Sequence, residues 1–61
     1  MQRTNNYKIQ DLVDTSKKIK IVNFYDNSVL FFGNYEDIPE RYLKWTYRIF
    51  CPHKDYYEFT V

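Results

Sequence analysis

Apolar positions along the chain concentrate in Lys18–Gly33, which reads Lys-Ile-Lys-Ile-Val-Asn-Phe-Tyr, then Asp-Asn-Ser, then Val-Leu-Phe-Phe-Gly. Two runs rich in β-branched and aromatic residues around a cluster of turn formers predict a β-hairpin. Asp26, Asn27 and Ser28 tolerate positive φ or make the local side-chain bonds of a tight reversal, so the expected loop is two or three residues long. Side chains alternate along a strand. Ile19, Ile21 and Tyr25 therefore point one way and Val22 and Phe24 the other, while Val29 and Phe31 oppose Leu30 and Phe32. A slip of one residue exchanges the two sets and leaves both faces apolar, so both faces of the hairpin are expected to need cover.

The flanking segments read as shorter elements. Met1–Asn6 is polar and expected to fray. Tyr7-Lys8-Ile9 alternates and predicts a short strand. Ile9, Leu12 and Val13 then stand at helical spacing, with Asp11 and Asp14 early and Lys17 and Lys18 late, as a helix dipole favours. The expected helix lasts about two turns and lids the hairpin. Gly33 is expected to end the second strand in a bulge or bend. Pro39 suits the first position of a second helix, Pro39–Lys44, and holds Ile38 extended before it. Ile38, Tyr42 and Leu43 are expected to dock on the sheet.

Trp45–Cys51 alternates, with Trp45, Tyr47, Ile49 and Cys51 on one face and Thr46, Arg48 and Phe50 on the other. Pro52–Asp55 reads as a turn, and Tyr56–Val61 as a closing two-sided strand. The expected fold is one α+β domain over residues 1–61, a small mostly antiparallel sheet with two short helices in the order β-α-β-β-α-β-β.

Length changes this picture, because 61 residues bury only about 60% of the surface that the unfolded chain exposes. Small domains of this kind commonly need a staple. One cysteine, Cys51, and one histidine, His53, supply neither a disulfide nor a four-ligand zinc site. Thirteen aromatic residues offer an efficient core instead, and the two-faced hairpin points to oligomerisation. A net charge of +1 gives no strong field for nucleic acid or membrane. The first twenty residues lack an apolar core and no run approaches a membrane span, so neither an export signal nor a membrane anchor is expected. The unpaired cysteine then suggests a reducing, cytoplasmic setting.

Candidate chemistry is sparse. Cys51 and His53 are the pair from which a thiolate dyad is built, but no oxyanion loop accompanies them, and a small buried cysteine beside an exposed turn histidine explains them more simply. Glu36, Asp37 and Glu40 invite comparison with a hard-cation site, yet helix-entry charge compensation accounts for all three. No catalytic, cofactor or metal residue is assigned, and the chain is not expected to be an enzyme. The interleaving of Arg41, Lys44, Arg48 and Phe50 with other aromatics is compatible with a platform for single-stranded nucleic acid. A protein interface fits the apolar hairpin better. Its centre would be Phe24 or Tyr25 with Phe31 or Phe32, its rim Tyr56 and Arg48, and its simplest assembly a homodimer about a two-fold axis.

Ile9-x-Asp-Leu-Val, Lys18-Ile-x-Ile-Val-x-Phe-Tyr-Asp, Leu30-Phe-Phe-Gly, Asp37-Ile-Pro-Glu-Arg-Tyr-Leu, Trp45-x-Tyr-x-Ile and Tyr57-x-Phe-x-Val together resemble the pattern of a group of small proteins associated with phages, prophages and mobile elements of low-GC Gram-positive bacteria. The resemblance spans Ile9–Val61 and rests on structure-forming residues; it carries over no catalytic residue. It implies an accessory role, such as inhibition of a host antiphage defence protein.

Overall fold

The computed structural model describes residues 7–61; the expectation for Met1–Asn6 lies outside the described residues. Four strands form one sheet: β1 (Lys18–Val22), β2 (Val29–Gly33), β3 (Ile49–Pro52) and β4 (Tyr56–Thr60), in the order β2-β1-β4-β3. Both hairpins pair antiparallel as expected, but β1 and β4 run parallel at the centre, so the sheet is mixed. The reason is connectivity. Residues 34–48 carry the chain from the β2 edge to the opposite edge, and the second hairpin then returns β4 beside β1 in the same direction. Parallel neighbours require such a long crossover.

The Lys-Ile-Lys-Ile alternation of β1 sets the two faces. Ile19 and Ile21 are fully buried, and with Ile9, Ile38 and Phe59 they form the core. Leu12, Leu30, Phe31, Tyr35, Tyr42, Leu43, Tyr47, Tyr57 and Val61 pack around it. Lys18 and Lys20 point to the other side of the sheet. β1 is thus less two-faced than its apolar content suggests, and among the described residues the short helical turns gather on one side only. Gly33 stays in the strand with negative φ, and a Cβ there would meet the Phe31 ring at 3.1 Å. The register shift expected near Gly33 lies instead between Ile21 and Val22.

Local hydrogen bonds shorten most predicted elements. In the first hairpin β1 stops at Val22. Tyr25 N–H donates to Asn23 Oδ1, Asn27 N–H to the Asn23 carbonyl, and Asn23 N–H to the Ser28 carbonyl. The reversal therefore occupies Asn23–Ser28 rather than two or three residues, and lifts Phe24 and Tyr25 out of the strand. Asn27 takes φ 60° and Ser28 N–H donates to Asp26 Oδ1, the roles expected of these turn formers. That bond to Ser28 also lowers the Asp26 carboxyl below its usual range.

The expected first helix contracts to a single 3-10 turn, Ile9–Asp11. Ser16 donates both its N–H and its hydroxyl to Asp14 Oδ1. Short polar side chains of this kind offer the backbone an alternative to helix. Val13, expected on the buried face, is 94% exposed. The Tyr7–Ile9 strand reduces to one bridge between Lys8 and Thr46. After β2, a 3-10 turn (Tyr35–Asp37) leads to Ile38, which is extended and buried before Pro39 as anticipated. Pro39 caps α1, one turn over Glu40–Leu43.

Regular pairing resumes only at Ile49, and this reverses the predicted alternation from Ile49 to Cys51, while Tyr47 keeps its expected side. Arg48 N–H bonds the Thr60 carbonyl. Tyr47 and Phe50 both pack on Phe59, with ring centroids 4.8 and 5.1 Å away, so Phe50 belongs to the covered side. Pro52 closes β3 as a strand residue opposite Tyr57, and the turn itself is His53–Asp55. On an edge strand the missing Pro N–H costs no ladder bond.

The loop before β1 is tied to β4 by Tyr57, whose hydroxyl donates to Asp14 Oδ2 at 2.7 Å. Hydrogen bonds from Ser16 and Tyr57 hold the Asp14 carboxyl at about 2. The same bond raises the Tyr57 phenol. A carboxyl lowered on folding contributes stability above its unfolded value of 3.8 and loses it as pH falls towards about 2. A phenol raised on folding contributes below its unfolded value of 10.0 and loses it as pH climbs through the raised one. Titration of Asp14 by NMR should move back towards the ordinary carboxylate range in Tyr57→Phe; an unchanged titration would show that the tie is not formed.

Candidate binding face

The register of the ladders assembles the uncovered face residue by residue. Lys20 of β1 stands beside Phe32 on β2 and Glu58 on β4, and Glu58 stands opposite Cys51 on β3. Lys18 neighbours Tyr56, and Ile49 faces Thr60. Paired residues share a face, so Phe32, Lys20, Glu58 and Cys51 make a row across all four strands, with Lys18, Tyr56 and Ile49 on the same side. Val22 and Thr60 are buried, whereas Phe32 and Ile49 are 56% and 50% exposed.

The row is knit by ring contacts. Phe32 meets Tyr56 edge-on at 5.8 Å, His53 stacks on Tyr56 at 4.3 Å, and Lys20 Nζ lies 5.8 Å from the centre of the same ring. His53 Nε2 is 2.9 Å from Glu58 Oε1, an arrangement that fixes the imidazole against both residues. At the end of the sheet where β1 enters its loop, the Arg48 guanidinium lies over Phe24 at 4.7 Å and over Tyr25 at 5.6 Å. Beside them a groove of about 420 Å³ is lined by Tyr25, Leu30, Trp45, Arg48 and Val61. The turns, loop and helix of the covered side carry charges of both signs, Asp11, Asp14, Glu36, Asp37 and Glu40 with Lys8, Arg41 and Lys44. The bare face carries Lys18 and Lys20, and its carboxylate, Glu58, is joined to His53.

Of the residues singled out for an interface, Phe24, Tyr25 and Arg48 form one group and Phe32 and Tyr56 another, both at or bordering the bare face. Phe31 departs from the expectation: it pairs with Ile21 and packs half-buried against the core. The residues expected for a nucleic-acid platform are not brought together. Arg41 and Lys44 belong to α1 and its C-cap on the covered side, where Arg41 lies 4.8 Å from the Tyr42 ring centre and Lys44 is 3.5 Å from Glu40. Phe50 lies among Tyr47, Tyr57 and Phe59, which leaves Arg48.

Cys51 is exposed rather than buried, and His53 is half-buried and bonded to Glu58 rather than free in the turn. Both corrections follow from the reversed faces of β3. Among the described residues no three of His, Cys, Asp and Glu lie close enough to hold a metal ion. Lys18, Lys20, His53 and Ile49 join the face without having been singled out. The signal for the lysines was already in the sequence, since Lys18 and Lys20 alternate with Ile19 and Ile21.

A second groove, of about 550 Å³, lies on the covered side between the loop before β1 and the second hairpin. Tyr7, Leu12, Val13, Tyr47, Phe50 and Tyr57 are among its walls. Burial there raises the Tyr47 phenol. No helix among the described residues is long and apolar enough to cross a membrane. No family model, curated protein or solved structure matches the chain.

The outward placement of Cys51 gives a direct check on the β3 register. A maleimide reagent should label Cys51 completely under native conditions and leave the unfolding transition in place. Labelling that requires denaturant would put Cys51 on the covered face.

Proposed function

We propose that this chain is a small non-enzymatic protein-binding factor that occupies a partner's surface with its bare sheet face and blocks it sterically. The observation that carries the reading is the exposure of Phe32 and Ile49 on the sheet face opposite the helical turns, with the half-buried Tyr56 ring edge-on to Phe32. Aromatic side chains bury large areas on binding at little cost in side-chain entropy, and such clusters dominate interface energetics. Held in place by His53 and Lys20, the Tyr56 ring presents a preorganised surface, which lowers the ordering cost of association. The resemblance to phage and mobile-element proteins supports placing the partner in a host cell's cytoplasm, with an antiphage defence protein as the class of target. Self-association as a homodimer belongs to the same reading.

A single-stranded nucleic acid is the second reading, and one observation favours it: Lys18, Lys20 and Arg48 lie beside aromatic residues. Base stacking needs free ring faces. The Tyr56 ring is already stacked on by His53 and flanked by Lys20, and Arg48 lies over Phe24 and Tyr25. With these rings engaged inside the chain, protein contact is the stronger use of the surface.

Pull-down from host extract with tagged wild-type chain, Phe32→Glu and Arg48→Glu provides the test. Replacing a central aromatic anchor should weaken capture roughly 30-fold, the equivalent of a ~2 kcal/mol hot spot. Arg48→Glu should weaken it less, and a labelled oligothymidylate should show no shift at moderate salt. Equal capture by wild type and Phe32→Glu, or an oligonucleotide shift that weakens steeply with salt, would refute the reading.

A further inference from the structure

We infer that the outer edge of β2 pairs antiparallel with the same edge of a second copy, joining two four-stranded sheets into one continuous sheet of eight. This deepens the proposed function, since it rests on the reading of the chain as self-associating and names the surface that does it. Among the described residues, β2 has a strand neighbour on one side only, β1. The other side of an edge strand presents a row of main-chain donors and acceptors that invites pairing, and proteins ordinarily blunt such rows with charges, prolines or bulges.

The two edges of this sheet differ in that respect. β3 ends in Pro52, which has no N–H to offer, and is bracketed by Arg48 and by His53 and Lys54. β2 is Val-Leu-Phe-Phe-Gly, with no charge and no proline anywhere in it. Its register shift with β1 lies near Val29, which leaves Phe31–Gly33 in regular pairing.

The second copy is the occupant that the chemistry selects. An antiparallel strand is complementary to itself about a two-fold axis, and an uncharged one meets its copy without repulsion. Stacking two bare faces is the competing dimer, and it would bring together two surfaces that each carry Lys18 and Lys20 against one carboxylate, Glu58, already joined to His53, an arrangement that costs free energy. Edge pairing avoids this and leaves both faces open. It also sets them side by side, with the two Phe32 residues near the axis, so that the dimer presents one platform of twice the width.

Light scattering and sedimentation across the micromolar range, combined with amide hydrogen exchange, test this on the full chain. Three variants serve: Val29→Lys with Phe32→Lys at the edge, Val29→Lys alone, and Tyr56→Ala on the bare face. Both positions at the edge are more than half exposed, and circular dichroism verifies that the variants fold. The inference expects a wild-type dimer in which exchange of outward-facing β2 amides slows as concentration rises. It expects the double variant to dissociate at least about tenfold more readily, an effect of ~1.4 kcal/mol, Val29→Lys to shift the same way, and Tyr56→Ala to remain dimeric.

Dimerisation lost in Tyr56→Ala but kept in both edge variants would overturn the edge assignment while leaving self-association intact. A monomer at every concentration would overturn both of those, and would leave binding by the bare face to be judged by the pull-down. Slowed exchange in β3 instead of β2, or in β2 only after a foreign protein is added, would also overturn the inference.

Discussion

Burial of Ile19 and Ile21 against Phe59 is the contact on which the remainder of the molecule depends. Ile21 lies in register with Phe59 on the two central strands, with Ile19 two residues away on the same face, and they draw Ile9 and Ile38 onto the same side. Because side chains on a strand alternate, placing the two isoleucines inside sends Lys18 and Lys20 to the opposite face. Which face is covered and which is bare therefore follows from one short stretch of β1. The parallel pairing of β1 with β4 places Phe59 beside Ile21, so the crossover topology and the core are two aspects of the same contact.

Size explains why the described helical turns cover only one face. The segments available for cover are a 3-10 turn at Ile9–Asp11, another at Tyr35–Asp37 and the single turn of α1. Each is too short to be stable alone and is held by the side chain it inserts into the core: Ile9 from the first, Tyr35 from the second, Tyr42 and Leu43 from α1. Among the described residues no helical turn lies on the other side, where small aromatic and ionic contacts take over: the Phe32, Tyr56, His53 and Glu58 chain, and Arg48 over Phe24 and Tyr25. The functional reading rests on this asymmetry, because an apolar surface that the chain does not hide is available to a partner.

Much of this was legible in the sequence. The Lys18–Gly33 hairpin, the extended Ile38 before Pro39, the docking of Tyr42 and Leu43, and the turn chemistry of Asp26 and Asn27 all follow from local rules that the structure obeys. Two of the failures share one cause, competition between side-chain hydrogen bonds and regular structure over a few residues. Asn23 ends β1 early and turns Phe24 and Tyr25 into loop residues, and Asp14 with Ser16 replaces a helical turn. The backbone near Arg48 breaks alternation, so Phe50 turns to the covered side while Ile49 and Cys51 face the other way. The parallel join of the hairpins is beyond strand patterns, since β4 carries the same residues whichever way its neighbour runs. Of the interface residues, Phe31 was misplaced because the register shift near Val22 decides which of Phe31 and Phe32 turns outward.

The division of the sheet into a covered and a bare face is tested most directly by the broadening that a dissolved paramagnetic probe causes in side-chain NMR signals. The account predicts strong broadening at Phe32, Ile49 and Tyr56, and little at Ile19, Ile21 and Phe59. Equal protection of the two sets, or stronger broadening at the isoleucines of β1, would contradict it.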